Sequence, residues 1–493
     1  MISKKILLPV LIGSTFYLGA CGGDDTPNAP VYTPGSSAYV PASSAVLPGS
    51  SAYIPASSAV NPLSSAVVPS SSSAAPVPAS SATPAAYPAL AATANINYAV
   101  NDYLVWQTYH YVTKDAESVY YASIAGDFAE VFPAAAYPAG SVGRVIWSAQ
   151  TSYYKPSCSV DDASISTMKF RGCTVSEGIG YGMLLAYFNN DVATFNSLWN
   201  YTRGFRAYNN VKLMPWITKS FHWEKVDNSS ATDADLDIAT SLILMYYKTG
   251  IDAYLQDALT FVNAIWDMEV NPTTLLIYSG DDDIWKTATT AYNLSYFSPV
   301  AIRLFAQVDP AHNWQGVLDA NYTYMQLVQS LGTGVFPDWS DASGKAVNPP
   351  NESAGKTPDS WTWYTFNKEA VRIPWRIAWD YYWYQDTRAA AILNKLNDFI
   401  SKKASGDPDN QALSVNYSWD LSVGTDITKN TVVSSQWYGA WCATGIAGNA
   451  AWLNKCTTGM NAKLPSNTPS SYFSDILMAM YAALLNGLFV RPF

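Results

Sequence analysis

The stretch 231-ATDADLDIATSLILMYY-247 contains the pattern on which the fold depends. Its apolar residues recur at helical spacing, with Ile238 and Leu242 on one side. Asp233 and Asp237 are four residues apart and therefore share another face of the same helix. The stretch predicts a helix with one buried side and a group of carboxylates near its N-terminal end.

Two ordinary roles for these acids are capping and calcium binding. Thr232 or Asp233 can cap the helix, but the carboxylates of Asp233, Asp235 and Asp237 are more than capping needs. The D-x-D-x-D pattern also opens an EF-hand loop, which requires Gly at its sixth position and Glu at its twelfth. Those positions hold Ile238 and Leu244, which excludes an EF-hand.

Helical periodicity recurs throughout residues 93–493, and strand-like alternation is scarce. The predicted helices are, in chain order, 95–113, 177–189, 191–203, 234–249, 252–268, 297–308, 312–331, 371–384, 386–402, 435–452 and 471–487. Loops rich in Gly, Pro, Asn and Asp separate them, and short loops alternate with long ones. This alternation predicts one all-α domain of paired helices in a ring, an α/α toroid, with its functional residues on the long loops.

The N-terminal residues 1–20 have the positive start and short apolar run of an export signal. That run is too short for a membrane span, which needs about 20 residues. The stretch 18-LGAC-21 resembles a bacterial lipobox, which implies cleavage before Cys21 and lipidation of its thiol. A plain secretory signal with an incidental Cys is the alternative. No Asp directly follows Cys21 in 22-GGDD-25, so we expect an outer-membrane, surface-facing location.

Residues 21–92 form a linker of Ser, Ala, Pro and Val. The unit 34-PGSSAYVPASSAVL-47 returns as 48-PGSSAYIPASSAVN-61. Pro interrupts helices and Ser and Ala offer no core, so this composition predicts an extended, disordered segment. It would hold the domain away from a membrane surface.

Composition restricts the partners of the chain. Charged residues make up 13% of the 493 residues, the net charge is −10, and no basic run exists, so we expect no nucleic-acid partner. Aromatic residues reach 14%, which indicates a large core or a groove on which sugar rings stack. Clusters in polar surroundings, such as 361-WTWYTFNKE-369, favour the groove. We expect a monomer.

Four cysteines lie in the domain, and export favours disulfides among them. Of the three possible pairings, we expect Cys158–Cys173 and Cys442–Cys456, because each closes a short loop. None has CxxC spacing, none of the three histidines has a ligand partner at i+3 or i+4, and no GxSxG motif is present. Zinc and serine-triad chemistry are therefore not expected, nor is a metal or cofactor.

The stretch 173-CTVSEGIGYGM-183 places three glycines around Glu177 and Tyr181. Its GxGxG spacing differs from GxGxxG, and the sequence indicates no preceding strand, so a dinucleotide site is not favoured. Thr174 or Ser176 can instead cap a helix that begins near Glu177, with the glycines allowing close packing. A carboxyl group sheltered in this way has a raised pKa and can donate a proton.

A further carboxylate lies in 366-FNKEAVRIPWRIAWDYYW-383, where Glu369 precedes Arg372 by three residues. A carboxylate beside a guanidinium stays ionised near neutral pH. This arrangement suits a catalytic base, and it also describes an ordinary ion pair.

Seven blocks together resemble glycoside hydrolase family 8, in order and spacing, over nearly all of 93–493. They are 176-SEGIGYGM-183, 191-DVATFNSLW-199, 213-LMPW-216, 231-ATDADLDIA-239, 295-SYFSP-299, 336-FPDW-339 and 369-EAVRIPWR-376. The resemblance implies an (α/α)6 barrel that hydrolyses β-1,4-linked polysaccharides with inversion.

The resemblance also implies roles for three carboxylates. Glu177 falls on the general acid, and Asp233 falls on the residue that grips the distorted sugar. Many members have an Asp base in a D-A-x-R block, where this chain has Glu369-Ala-Val-Arg372. The longer Glu side chain narrows the gap for the attacking water, which in inverting enzymes is about 6.5–9.5 Å between carboxyls. Glu369 is the candidate base, with Asp233 as the fallback.

Aromatic and polar residues of the matching blocks are the candidate substrate contacts: Tyr181, Trp216, Asp235, Tyr296, Trp339, Arg372 and Trp375. We expect an endo-β-1,4-glucanase acting on cellulose or mixed-linkage β-glucan. An endo-β-1,4-xylanase or oligoxylan hydrolase is the second interpretation, and chitosan is a further substrate of the family. A different class, a surface glycan-binding protein that has lost its base, is also open.

Overall fold

A computed structural model describes residues 86–117, 139–147, 173–219, 223–225, 227–287, 290–349, 364–409, 411–421, 435–462 and 471–493. The predictions for the export signal, Cys21 and the repeats of the linker fall outside these residues, as does Cys158.

The described residues are mainly helical, as the periodicity predicts. The helices are α1 (Ile96–His110), α2 (Ser176–Phe188), α3 (Val192–Asn209), α4 (Thr232–Thr249), α5 (Asp252–Glu269), α6 (Pro299–Val308), α7 (Trp314–Leu331), α8 (Ile373–Tyr384), α9 (Thr387–Lys403), α10 (Ser435–Ala443), α11 (Ala450–Ala462) and α12 (Tyr472–Leu485).

The single helix predicted over 435–452 is wrong. α10 ends at Ala443, a 3-10 turn covers Thr444–Ala447, and α11 begins only at Ala450. Gly445 and Gly448 lie at this corner, where helix propensity is low. The chain turns back here, so that α11 packs against α10.

The helices form two concentric layers. The inner layer closes on itself through the contacts α2–α4, α4–α6, α6–α8, α8–α10, α10–α12 and α12–α2. Each outer helix packs on one inner helix: α1 on α12, α3 on α2, α5 on α4, α7 on α6, α9 on α8, and α11 on α10. Six inner and six outer helices make an (α/α)6 barrel, which confirms the predicted fold class.

The inner helices are buried on nearly every side. Every residue of α2 is buried, from Ser176 to Phe188. Its glycines permit this, because a Cβ on Gly180 would lie 2.9 Å from Cβ of Asp237 and 3.1 Å from the carbonyl oxygen of Ala234, both on α4. The predicted role of the glycines in close helix packing is therefore confirmed.

Besides several 3-10 turns, the described residues contain a set of short antiparallel strands. β1 (Tyr111–Thr113) pairs with β2 (Gly143–Val145), and β4 (Ile217–Lys219) lies between β3 (Cys173–Val175) and β5 (Glu224–Lys225). β6 (Ala291–Tyr292) pairs with β7 (Ser340–Asp341). β3 corrects the expectation that no strand precedes α2. Three residues are too short for strand alternation to be visible in the sequence.

The described residues belong to one compact unit. Residues 86–92, expected to be linker, pack on it: the ring of Tyr87 stacks on Tyr382 at 4.6 Å, and the Ala92 N–H donates to Asn454 Oδ1 at 2.7 Å. The ordered domain therefore begins before residue 93. In this part of the chain, no helix combines the length and hydropathy that a membrane span requires.

The predicted Cys442–Cys456 disulfide is present and joins α10 to α11. Cys173 is also disulfide-bonded. Because Cys158 lies outside the described residues, its pairing with Cys173 stays a prediction.

The packing of α2 against α4 gives a prediction about two glycines. Gly180→Ala should lower the free energy of unfolding by about 1–2 kcal/mol, because overpacking outweighs the helix propensity gained. Gly182→Ala should cost less, because its Cβ would meet mainly side-chain ends, the nearest being Leu198 Cδ1 at 2.9 Å. Urea unfolding of both variants measures the difference, and equal stabilities would contradict this account of α2.

Candidate active site

Arg372 gathers three carboxylates from separate parts of the barrel into one cluster. Its Nη1 donates to Glu177 Oε2 and, at 2.8 Å, to Asp233 Oδ2, while its Nη2 donates to Glu369 Oε2. The four side chains are at most 1% exposed. The structure thus brings together the three residues predicted to be catalytic.

Glu177 occupies the first turn of α2, directly after β3. The predicted cap from Thr174 or Ser176 is wrong: the N-cap residue is Val175, and the Thr174 hydroxyl donates instead to the carbonyl oxygen of Val145 at 2.9 Å. Val175, the last residue of β3, is thus also the N-cap residue of α2 and makes no side-chain hydrogen bond to the helix.

Several groups control the protonation of Glu177. Burial raises the pKa of its carboxyl to about 7, and the charges of Asp233 and Glu369 act in the same direction. The Arg372 guanidinium lowers this pKa, as does the Tyr472 hydroxyl, which donates to Oε1 at 2.8 Å. A carboxyl with this pKa retains a proton near neutrality and can deliver it, as the sequence predicts.

Asp233 begins the acidic face of α4. Its Oδ1 accepts the N–H of Ala234 at 2.9 Å and its Oδ2 binds Arg372. The predicted helix cap from Thr232 or Asp233 is wrong, because the N-cap residue is Ala231 and has no side-chain bond. One turn further, Asp237 accepts two bonds from Arg376, at 2.7 and 2.9 Å.

Glu369 precedes the 3-10 turn Ala370–Arg372 that leads into α8. Besides Arg372, its Oε2 accepts a bond from Asn293 Nδ2 at 2.6 Å. Burial raises the pKa of this carboxyl although Arg372 and Asn293 lower it. The sequence predicts that Arg372 keeps Glu369 ionised near neutral pH, and the structure adds desolvation, which acts in the opposite direction.

Three of the predicted substrate contacts are aromatic residues near the cluster. The ring centre of Tyr296 is 5.2 Å from the Arg372 guanidinium carbon. Trp339 stacks on Trp285 at 5.5 Å and meets the edge of Tyr296 at 6.4 Å. Trp216 lies beside α2, where its carbonyl oxygen accepts the Ser176 N–H at 2.9 Å. All three side chains are at most 5% exposed, so their contact with a substrate stays a prediction.

Tyr181 and Trp375 lie behind the cluster. Both are fully buried, and their rings meet edge to face at 5.6 Å. Trp375 also packs on the Arg376 guanidinium at 4.4 Å. Both rings pack in the core around Arg376, and their predicted contact with a substrate stays a prediction.

Asp235 and Arg372 bind other groups of the protein, and their contact with a substrate stays a prediction. Asp235 is fully buried and accepts the Met214 N–H at 3.1 Å, so it holds the loop before Trp216. Arg372 uses its terminal nitrogens on the three carboxylates. Both residues organise the site from within.

Sequence reasoning missed three residues that contact the cluster or its backbone. Asn293 lies two residues before the block 295–299, and Asp338 lies within the block 336–339. These positions in the sequence could have marked both residues as candidates for the site. Tyr472 had no such signal, because it enters the site through the closure of the helical ring by α12.

A second buried acidic pair lies beyond the cluster. Asp235 and Glu269 are both fully buried, and the Ser230 hydroxyl donates to Glu269 Oε1 at 2.5 Å. Burial raises the pKa of Glu269 to about 8, and burial together with the charge of Glu269 raises that of Asp235. The two groups titrate as a pair that retains a proton.

Within the described ranges, no group of three or more His, Cys, Asp or Glu side chains could hold a metal ion. The cluster itself consists of three carboxylates around one guanidinium, with Glu177 in position to donate a proton.

Comparison with known proteins shows which family the chain is similar to. A family model described as glycosyl hydrolases family 8 matches residues 139–483. The chain is 31% identical to the "Beta-glucanase" of Niallia circulans over 336 residues, which are 64% of this chain and 77% of that protein. It is 31% identical to "Endoglucanase 2" of Ruminiclostridium josui over 324 residues, 64% of each chain.

A solved structure shares the fold. The apo structure of a beta-1,3-1,4-glucanase from Paenibacillus sp. X4 superposes with a TM-score of 0.61 at 22% identity, covering 82% of this chain and 96% of that one. The likeness extends beyond the residues that the family model matches.

The acidic pair predicts how stability depends on pH. Because the folded-state pKa of Glu269 is about 8, above its ordinary value of 4.5, the folded protein holds a proton that the unfolded chain releases. Stability should therefore fall as pH rises from about 5 to 8. Other buried carboxyls with a raised pKa, Glu177 among them, contribute to the same fall. Glu269→Gln should remove the share that belongs to Glu269, a difference on the order of a few kcal/mol.

Urea unfolding at pH 5 and pH 8 measures that difference. Asp398→Asn, at an exposed position of α9, is the matched control and should retain the wild-type pH dependence. If Glu269→Gln and the wild type lose the same stability between the two pH values, Glu269 does not hold the proton.

Proposed function

The chain belongs to glycosyl hydrolase family 8 and is a glycoside hydrolase, and we propose that it is an inverting endo-hydrolase of β-1,4-linked glucan, either cellulose or mixed-linkage β-glucan. The observation that carries this proposal is the pair Glu177 and Glu369, bound to different nitrogens of one guanidinium. The glucanase and endoglucanase names of the two relatives support glucan as the substrate.

The reaction uses Glu177 as acid and Glu369 as base. Glu177 transfers its proton to the glycosidic oxygen as the bond from that oxygen to the anomeric carbon breaks. Glu369 removes a proton from a water whose oxygen attacks the anomeric carbon from the opposite face. Asp233 holds the strained sugar ring, and Arg372 stabilises the carboxylate that Glu177 becomes. Exchange of protons with solvent restores both carboxyls.

The attacking water needs space between the two carboxyls, about 6.5–9.5 Å in inverting enzymes. Both carboxyls contact the same guanidinium in the structure. We therefore expect Glu369 to leave Arg372 Nη2 when sugar and water enter, while Asn293 continues to hold its Oε2. In this way the longer side chain of Glu is accommodated.

Replacement of the two glutamates tests the mechanism. Glu177→Gln should lower kcat by about 10²–10⁴-fold, the usual contribution of general acid–base catalysis, while glucan binding persists. Glu369→Gln should lose activity to a similar extent, and azide should restore turnover. Asp233→Asn, without azide rescue, is the comparison that separates sugar holding from base catalysis.

Release of reducing sugar from glucan, xylan and chitosan is the measurement. Release chiefly from xylan would replace glucanase by the xylanase interpretation. Near-normal turnover by Glu177→Gln would refute the acid assignment, and an active Glu369→Gln would place the base elsewhere. Binding by the wild type without release of ends would identify a glycan-binding protein.

We also propose that the protein is secreted as a lipoprotein, anchored through Cys21 to the outer membrane with its domain outside the cell, and that it acts as a monomer. The lipobox-like stretch and the repeat linker support this location. Cys21→Ser should abolish incorporation of labelled palmitate and move the enzyme from the membrane to the soluble fraction. Labelling that persists in this variant would refute the lipidation site.

A further inference from the structure

We propose that Asp338 is a positioning residue for the catalytic base: it clamps the backbone that carries Glu369. The inference rests on the proposed function, since it takes Glu369 as the base. Asp338 and Glu369 lie outside the helices, 31 positions apart in the segment between α7 and α8, and the fold of this segment brings them together.

The clamp consists of one oxygen and three N–H groups. Asp338 Oδ1 accepts the backbone N–H of Asn367 at 3.1 Å, of Glu369 at 3.2 Å and of Ala370 at 2.9 Å. These N–H groups surround the start of the 3-10 turn Ala370–Arg372, which has no side-chain cap of its own. Asp338 supplies from a distant loop the acceptor that a capping residue would supply locally.

A small sheet holds Asp338 in place. β7 begins at Ser340, two residues after Asp338, and pairs with β6, where Tyr292 lies opposite Ser340. Asn293, the next residue after β6, binds the Glu369 carboxylate at 2.6 Å. One strand pair therefore fixes the side chain of Glu369 through Asn293 and its backbone through Asp338.

The second oxygen of Asp338 indicates what kind of group the clamp requires. Oδ2 is buried and has no hydrogen-bond partner in the structure. Burial, and then the negative charge of Glu369, raise the pKa of Asp338 well above its usual range. The clamp therefore depends on an acceptor oxygen at Oδ1, which asparagine also supplies, and does not depend on a negative charge.

This geometry matters because a base must lie close to the water that it activates. Glu369 and Ala370, the residue that follows it, both donate their backbone N–H to Asp338, so loss of the clamp lets the carboxyl of Glu369 move. A displacement of about 1 Å can cost about 100-fold in rate, whereas binding of the glycan to other groups is retained.

Asp338→Ala and Asp338→Asn in the full chain, assayed against the wild type on glucan, test the inference. Asp338→Ala should lower kcat by about 100-fold with KM unchanged, because the sugar contacts remain. Asp338→Asn should retain kcat near the wild-type value, because its amide oxygen accepts the same three N–H groups.

Asp309→Ala is the matched structural control. Asp309 is buried at the C-terminal end of α6 and accepts bonds from Ala311 N–H at 3.2 Å and Trp314 Nε1 at 2.8 Å. Its loss should lower the unfolding temperature without changing kcat below that temperature. Circular dichroism establishes which variants are folded.

The two Asp338 variants together decide whether Asp338 positions Glu369. An inactive Asp338→Asn would overturn the clamp and make the carboxyl itself part of the chemistry, and this comparison holds even where Asp338→Ala does not fold. A folded Asp338→Ala with wild-type kcat would also overturn it. A wild type that releases no reducing ends refutes the proposed function instead, so the two failures are distinct.

Discussion

The structure depends on a buried ladder of two ion pairs between α4 and α8. Asp233 and Asp237 lie one turn apart on α4, and Arg372 and Arg376 have the same spacing at the start of α8. All four side chains are fully buried. An unpaired charge in such a position would cost several kcal/mol, so the ladder joins two inner helices that are not neighbours in the ring. The pair of Asp233 and Arg372 is also part of the candidate active site.

Carboxylates outnumber guanidinium groups at the end of the ladder that belongs to the site. At Arg372, one guanidinium meets three carboxylates, so the buried cluster favours the retention of protons. Burial therefore raises the pKa of Glu177 to about 7, because one guanidinium does not offset desolvation and the charges of two neighbouring carboxylates. The raised pKa of Glu177 is therefore a consequence of how the barrel packs, and the glycines of α2 contribute by letting Glu177 lie within the ring of helices.

Much of the fold could be predicted because helical periodicity is local. The bounds of α4 and α5 follow from apolar spacing, and Gly250 ends α4 in the left-handed conformation that glycine adopts readily. The corner between α10 and α11 was missed because the apolar pattern continues across it. The short strands were missed because two or three residues show no alternation. Asn293, Asp338 and Tyr472 were missed because each reaches the site from another part of the ring.

The sequence by itself determined the helices, the family resemblance and the identity of the three carboxylates, since these follow from residue types and spacings along the chain. Only the tertiary structure decided how those residues are used. It placed Tyr181, Trp375 and Asp235 behind the site, because closing a ring of inner helices buries every face. It also brought Arg372 to all three carboxylates, a contact between residues up to 195 positions apart that no local pattern encodes.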